Sequence, residues 1–318
     1  MEFGFGVAMR GPAAAPEFLE RQVKHGEELG LDIVTVSDHV IIPKAVGSIY
    51  PYSEDGAFSG GDAGECLEQL TVAMFLAAHT SSIRVLTSVM VLPHRPPVLA
   101  AKILASLDVL SGGRLLVGVG AGWMREEFEA LGTAPYEHRG SVANDYIRAF
   151  KEMWTSDSPE YNGAYAQVSD VSFYPKPVQD PHPPIWVGGE SPPALRRAGQ
   201  LGDAWYPIGS NPTFPMDTPE LLAEAMATVR RHAEEAGRDP ESIDFGYSAG
   251  WYDDGEEKTG RSGERLIFTG NPEQVASDIR EFEALGVRHL VIGLTGQTPD
   301  GTLNRMERFA TEVRPLTK

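Results

Sequence analysis

The sequence predicts an α/β fold, a (β/α)8 TIM barrel with insertions, and three observations carry that prediction. Short apolar, β-branched runs alternate with helix-patterned segments from one end of the chain to the other. Eight of these runs read as strands, as a closed parallel barrel requires. The stretch Arg84–Gly132 reads as strand, helix, strand and then a glycine-rich turn, which is one and a half βα units. A barrel of this kind takes about 250 residues, and the chain has 318. Residues 1–318 are therefore read as one barrel domain with an insertion around 156–183. The alternative is an open, doubly wound sheet.

Each element has its own signal. Phe3–Ala8 is the first strand, and Glu17–Leu29 its helix. Asp32–Ser37 is a short β-branched strand that ends in Ser37-Asp38-His39. Glu65–His79 places Leu67, Leu70, Met74 and Ala77 near helical spacing. Arg84–Leu92 is the third strand, Pro97–Leu110 its helix and Arg114–Val119 the fourth strand. Pro184–Val187, Asp203–Pro207, Ser242–Ser248 and Arg288–Leu294 complete the set. Helices fit at Pro192–Leu201, Glu220–Ala236, Pro272–Leu285 and Thr302–Val313. The start at Asn271-Pro272-Glu273-Gln274 is strongly marked: Asn271 can cap, Pro272 suits the first helical position, and Gln274 completes a capping box.

Three stretches exceed the minimal repeat. Ile41–Gly64 is long and rich in Gly, Pro and aromatics, and Gly250–Gly270 holds the acidic run Asp253–Glu257. Both follow strand carboxyl ends, the ligand edge of a barrel, and are expected to shape a substrate site. Ser156–Pro183 reads as a small β insertion followed by a proline-rich connector.

Composition narrows the partners. Hydrophobic residues make up 42% and charged residues 23%, as in ordinary globular proteins. The formal net charge is −18, so nucleic acid and anionic membranes are poor partners. An anionic ligand would need local features: backbone amides, helix amino termini and a few placed cations. The single cysteine, Cys66, suits a reducing cytoplasm and leaves no disulfide framework or structural zinc site. No signal peptide and no membrane span are read.

Four motifs could carry chemistry. In Gly118-Val119-Gly120-Ala121-Gly122-Trp123 the third glycine of a dinucleotide fingerprint is replaced by Trp123. These glycines instead suit close approach of a ligand to the backbone after the fourth strand. Gly188-Gly189-Glu190-Ser191 precedes Pro192, so amides gather at a helix start, a generic anion site, with Ser191 as cap. Asp38 beside His39 at a strand end could orient the imidazole for proton transfer. Thr87-Ser88-Val89 leaves room for a flat ligand, and His94 and Arg95 could meet an anion. Trp123, Trp205, Trp251, Tyr252, Tyr50, Tyr52 and Phe58 all fall at or after strand ends, where aromatics can line an apolar pocket. No G-x-S-x-G elbow, Walker loop or H-E-x-x-H motif is present.

Taken together, VSDH at 36–39, LTSVMVLPHRPPVLAAKILASLDVLSGGRLLVGVGAGWMREEFEALG at 86–132 and PKPVQDPHPPIWVGGESPPALRRAGQLGDAWYP at 175–207 resemble the bacterial luciferase-like monooxygenase family, in its branch of F420-dependent oxidoreductases. NPEQVASDIREFEALGVRHLVIGL at 271–294 fits as well. The resemblance implies a barrel that binds FMN or the deazaflavin coenzyme F420 at its carboxyl end, and a homodimer. It implies a non-proline cis peptide between Ser88 and Val89. It also implies cofactor contacts at Asp38, His39, Thr87, Ser88, Val89, Gly120, Ala121, Gly122, Trp123, Gly188, Gly189, Glu190 and Ser191.

Two departures refine this. The sugar-phosphate dehydrogenase branch has a tryptophan at the Pro43 position and a glutamate at the Trp123 position, which argues against glucose-6-phosphate as substrate. The light-emitting branch has a histidine at the Asp38 position and an arginine at the Ala121 position, and both are missing here. The expected function is hydride transfer between F420 and an apolar or aromatic organic substrate, with His39 as acid/base and Asp38 as its orienter. The alternatives are an FMN-dependent monooxygenase fed by a separate reductase, and a non-catalytic flavin-binding barrel.

Overall fold

The computed structural model describes residues 1–58, 64–261 and 263–318. In chain order the strands are β1 (Glu2–Gly6), β2 (Ile33–Val36), β3 (Arg84–Thr87), β4 (Met90–Val91), β5 (Leu115–Gly120), β6 (Tyr161–Asn162), β7 (Gln167–Val168), β8 (Ile185–Gly188), β9 (Ala204–Tyr206), β10 (Asp244–Ser248) and β11 (His289–Ile292). β6 and β7 pair antiparallel as a small hairpin inside the 156–183 insertion. The others are parallel: β1 pairs with β2 and β11, and the ladder runs through β10, β9 and β8 to β5. β5 then pairs with β3, and β3 with β2, so the sheet closes on itself. The closed barrel expected from the alternation is what forms, and the open sheet is not.

The third strand departs from its expected course. Arg84–Leu92 is not continuous: β3 stops at Thr87, a cis Ser88–Val89 peptide follows, and β4 resumes the pairing with β5 at Met90↔Val119. A 3-10 turn at Leu92–His94 then leads to the helix.

The helices are α1 (Pro16–Glu28), α2 (Gln69–Ala78), α3 (Pro97–Ser111), α4 (Arg125–Leu131), α5 (Arg139–Thr155), α6 (Pro192–Leu201), α7 (Pro219–Glu235), α8 (Pro272–Leu285) and α9 (Pro299–Arg308). Proline opens most of them, because its fixed φ suits the first turn and its missing N–H would have had no helical partner there. The capping box at Asn271 and Gln274 forms as its residues predict. Helices α4 and α5 were not read from the sequence. Yet α5 carries a helical stripe of Val142, Ala143, Tyr146, Ile147, Phe150, Met153 and Trp154, all buried. Among the described residues no helix is long and apolar enough to cross a membrane.

Two apolar layers result. Ile33, Leu86, Leu116, Trp186, Ala204, Tyr206 and Val291 form a compact inner cluster, the filling of the barrel, with Val89 packed at its edge. A far larger cluster fills the space between the sheet and the helices. At the β3–β5 seam the backbones meet so closely that a β-carbon on Gly118 would overlap the Thr87 carbonyl oxygen. The Thr87 hydroxyl donates to the Gly118 carbonyl at 2.8 Å on the same seam. Gly118→Ala should therefore cost about 3 kcal/mol or more, the upper end for overpacking. Urea unfolding of the variant measures it, and a loss under about 1 kcal/mol would show that the seam yields.

Candidate functional site

A cavity of about 900 Å³ opens at the carboxyl end of the barrel. Its wall takes Val7–Arg10 from beyond β1, Ser37–His39 from beyond β2, Ser88 and Val89 from the break after β3, and Gly120–Trp123 from β5. Gly188–Ser191 from the end of β8 and Asn211 and Phe214 after β9 also line it. That volume suits a drug-sized or cofactor-sized ligand. Among the expected site residues, Asp38, His39, Ser88, Val89, Gly120, Ala121, Gly122, Trp123, Gly188, Gly189, Glu190 and Ser191 all border it. Thr87 does not: it is fully buried and its hydroxyl is spent on the Gly118 carbonyl.

The floor is built around Val89. A β-carbon on Gly120 would come within 2.8 Å of the Val89 side chain, and one on Gly188 within 3.0 Å. The two glycines therefore make the slot in which Val89 stands. Ser88 lies beside it, its hydroxyl 3.3 Å from that of Tyr206.

Charge is arranged differently from the sequence expectation. Asp38 does not orient His39. Its carboxylate is fully buried, held by Arg95 through two bonds of 2.8 Å, and it also accepts the Val91 N–H at 2.8 Å. Arg95 in turn reaches Glu68, the cap of α2, at 2.5 Å, so it is a structural tie and not an anion receptor. Buried charges persist when paired in this way, and Arg95 supplies the partner that Asp38 needs. His94 is likewise unavailable: it is buried, and desolvation holds its imidazole below the ordinary value.

The group that meets His39 is Glu127 in the first turn of α4. Its Oε2 lies 3.0 Å from His39 Nδ1, and its Oε1 accepts the Val40 N–H at 2.7 Å and the Ile41 N–H at 3.2 Å. Burial pushes this carboxyl up, but the His39 hydrogen bond, the nearby imidazoles and the backbone donors outweigh it and hold it below the usual range. Its neighbour Glu126 accepts the Gly47 and Ser48 N–H groups at 2.7 and 3.0 Å and the Ser48 hydroxyl at 2.7 Å. Only a helix start at Arg125, missed in the sequence, could have shown that both carboxylates turn toward the mouth loop.

The Gly188–Ser191 turn, expected to receive an anion, borders the cavity together with residues the sequence reading did not name. Ser191 occupies the cap position of α6, yet its hydroxyl makes no capping bond and borders the cavity. Pro192 and Pro193 strip the first helical turn of two donors, so amides for an anion could come only from the residues before them. Arg139 and Arg197 border the same cavity. Arg139 stacks 4.0 Å over Tyr136 and donates to the Gly122 and Tyr136 carbonyls, each at 3.2 Å. Arg197 donates to Asn144 at 2.6 Å and to the Gly140 carbonyl at 3.0 Å. Among the described residues neither has a carboxylate within ion-pair distance, although acids outnumber bases 45 to 27. Desolvation and the neighbouring Arg139 lower the Arg197 guanidinium to about 10. A bound dianion would relieve both. The residues present therefore fit a phosphate-bearing ligand.

Tyr50, Tyr52, Phe58, Trp123 and His39 line the same cavity as one ring cluster, with centroid separations of 5.1 to 6.3 Å. Trp205 and Tyr252 are core residues instead, and Trp251 donates to the Ile267 carbonyl away from the cavity. The 250–270 loop contributes no wall residue among those described; it touches the mouth loop through Arg261 and Glu54 at 2.7 Å. Its acidic run is met by Lys258 and Arg308. Part of the expected mouth loop, residues 59–63, and Ser262 of the 250–270 loop lie outside the described residues.

A sequence model of the luciferase-like monooxygenases matches residues 1–250. An FMNH(2)-dependent dimethylsulfone monooxygenase from Pseudomonas putida is 29% identical over 318 aligned residues, spanning 87% of this chain and 86% of its own. An uncharacterized protein from Mycobacterium tuberculosis is 33% identical over 215 residues, spanning 68% of this chain and 71% of its own. In structure, an F420-dependent secondary alcohol dehydrogenase superposes with a TM-score of 0.76 at 18% identity, covering 100% of this chain and 99% of its own. The coenzyme F420-dependent tetrahydromethanopterin reductase of Methanopyrus kandleri gives 0.74 at 18% identity, with the same coverage. At such identities the likeness is one of fold.

Glu190 adds a pH dependence. It is 3% exposed, and burial pushes its carboxyl up to about 7, against the opposing bonds from Ile208 N–H and Asn211 Nδ2. Its ordinary value is 4.5, so the folded protein holds this proton more tightly than the unfolded chain. The resulting stabilisation, roughly 3 kcal/mol, is complete below that ordinary value and is lost as pH rises through about 7. Unfolding free energies between about pH 5 and 8 should fall by this amount in the native protein, and Glu190→Gln should flatten that slope.

Proposed function

Because the chain belongs to the luciferase-like monooxygenase family, we propose that it is an F420-dependent oxidoreductase acting on an apolar or aromatic small organic molecule. The observation that carries this reading is the make-up of one cavity's lining. It joins glycines, Ser191 and two arginines suited to a phosphate with an aromatic cluster that holds an imidazole. A deazaflavin held there would supply a carbon that gives or takes a hydride. The protein's part is placement. Val89, seated between Gly120 and Gly188, backs a flat ring, while Ser191, the 189–191 amides, Arg139 and Arg197 hold the phosphate. Tyr50, Phe58 and Trp123 keep water from the reacting face. His39 holds or moves the proton that accompanies the hydride.

FMN is the second reading, favoured by the Pseudomonas putida relative and its FMNH(2) dependence. The homodimer is also a proposal. Helices α2 and α3 are apolar on most sides, and Leu67, Val98 and Leu99 near their starts are left exposed, as a face covered by a second copy would be.

Titrating the apo-protein with F420 and with FMN tests the reading directly. Binding of F420 in the micromolar range or tighter is expected, and binding of FMN alone would replace the deazaflavin. Arg139→Ala should weaken the phosphorylated cofactor by roughly ten- to a hundredfold while leaving its phosphate-free form unchanged. His39→Ala should lower turnover by about a hundredfold or more and spare cofactor affinity; unchanged turnover would remove the imidazole from the chemistry.

A further inference from the structure

Glu127 has no solvent-facing task. It is 1% exposed, and each of its oxygens is committed: Oε1 to the Val40 and Ile41 N–H groups, Oε2 to His39 Nδ1. We propose that Glu127 is a positioning residue that fixes His39 in the Nδ1–H tautomer, leaving Nε2 as the atom where a proton is exchanged with the cavity. This deepens the reading of His39 as the proton-carrying group and rests on it for its use in turnover.

An ionised carboxylate has no proton to donate, so the His39 nitrogen that faces it must carry the hydrogen. The same holds whether the imidazole is neutral or charged. Nε2 has no hydrogen-bond partner among the described residues, and His39 borders the cavity. The other groups nearby do not compete. Asp38 is closed in its pair with Arg95, and His94 Nδ1 lies 3.8 Å from Oε1, beyond hydrogen-bond reach.

The asymmetry of the carboxylate makes the inference testable. In Glu127→Gln the amide can turn only one way without harm. Its oxygen must stay against the two backbone N–H groups of Val40 and Ile41, which offer hydrogens only. The amide nitrogen is then placed against His39 Nδ1, and Nδ1 must accept. The variant should therefore invert the tautomer with one atom changed and no change of volume.

The test is nitrogen-15 NMR of the histidine side chains in the apo-protein, above the titration of His39, with its signals assigned by their loss in His39→Gln. A pyrrole-like Nδ1 and a pyridine-like Nε2 are expected in the native protein, and the reverse in Glu127→Gln. A pyridine-like Nδ1 in the native protein, or an unchanged pattern in a folded Glu127→Gln, would overturn the proposal. Should that variant fail to fold, the native pattern alone decides. The readout needs no cofactor. Failure to bind F420 or FMN would thus defeat the proposed function without touching this result. An inverted tautomer with unchanged turnover would support the positioning and defeat the role of His39.

Discussion

The seam between β3 and β5 is the constraint on which the rest of the molecule depends. Eight parallel staves close only if these two backbones come together, and they do so at Gly118, where no side chain would fit beneath the Thr87 carbonyl. Immediately beyond that point β3 breaks at Ser88–Val89, while β5 runs on into Gly120. The closure thus fixes the height at which Val89 rises between Gly120 and Gly188. The cavity floor is a by-product of shutting the barrel.

Electrostatics at the rim follow one rule with two outcomes. Carboxylates that are taken out of water are all met by donors: Asp38 by Arg95 and Val91, Glu127 by His39, Val40 and Ile41. Two arginines of the cavity wall, Arg139 and Arg197, are met among the described residues only by carbonyls, an amide and a ring face. An acidic protein thereby keeps a local positive potential where an anion could enter. The desolvation that Arg197 already suffers is part of the free energy a phosphate would recover.

The barrel was legible because period and punctuation agreed: β-branched runs, prolines at helix starts and Gly-rich turns all marked the same boundaries. The turn at Gly189–Ser191 was legible for the same reason, since it is a local feature. What stayed hidden depended on distance. Asp38 is adjacent to His39 in sequence, but both lie past the end of β2, where no strand or helix period fixes their directions: Asp38 turns to Arg95 while His39 turns to Glu127, 88 positions away. Arg139 was hidden because its helix α5 has no counterpart in the sequence reading, although its apolar stripe was present; Arg197 lies on the expected α6, and nothing local marks it as facing the cavity. Thr87 ends its strand as expected, but its hydroxyl turns into the seam, onto the Gly118 carbonyl.

The first turn of α4 grips the chain twice. Glu127 holds it at Val40 and Ile41, and Glu126 holds it again at Gly47 and Ser48. The segment between these grips is a fixed hem, and the aromatic residues Tyr50, Tyr52 and Phe58 hang beyond it. Cavity wall and anchoring are therefore written on separate lengths of the same loop. Descendants of this barrel could re-tailor what lies past Ser48 and leave the imidazole and its carboxylate undisturbed.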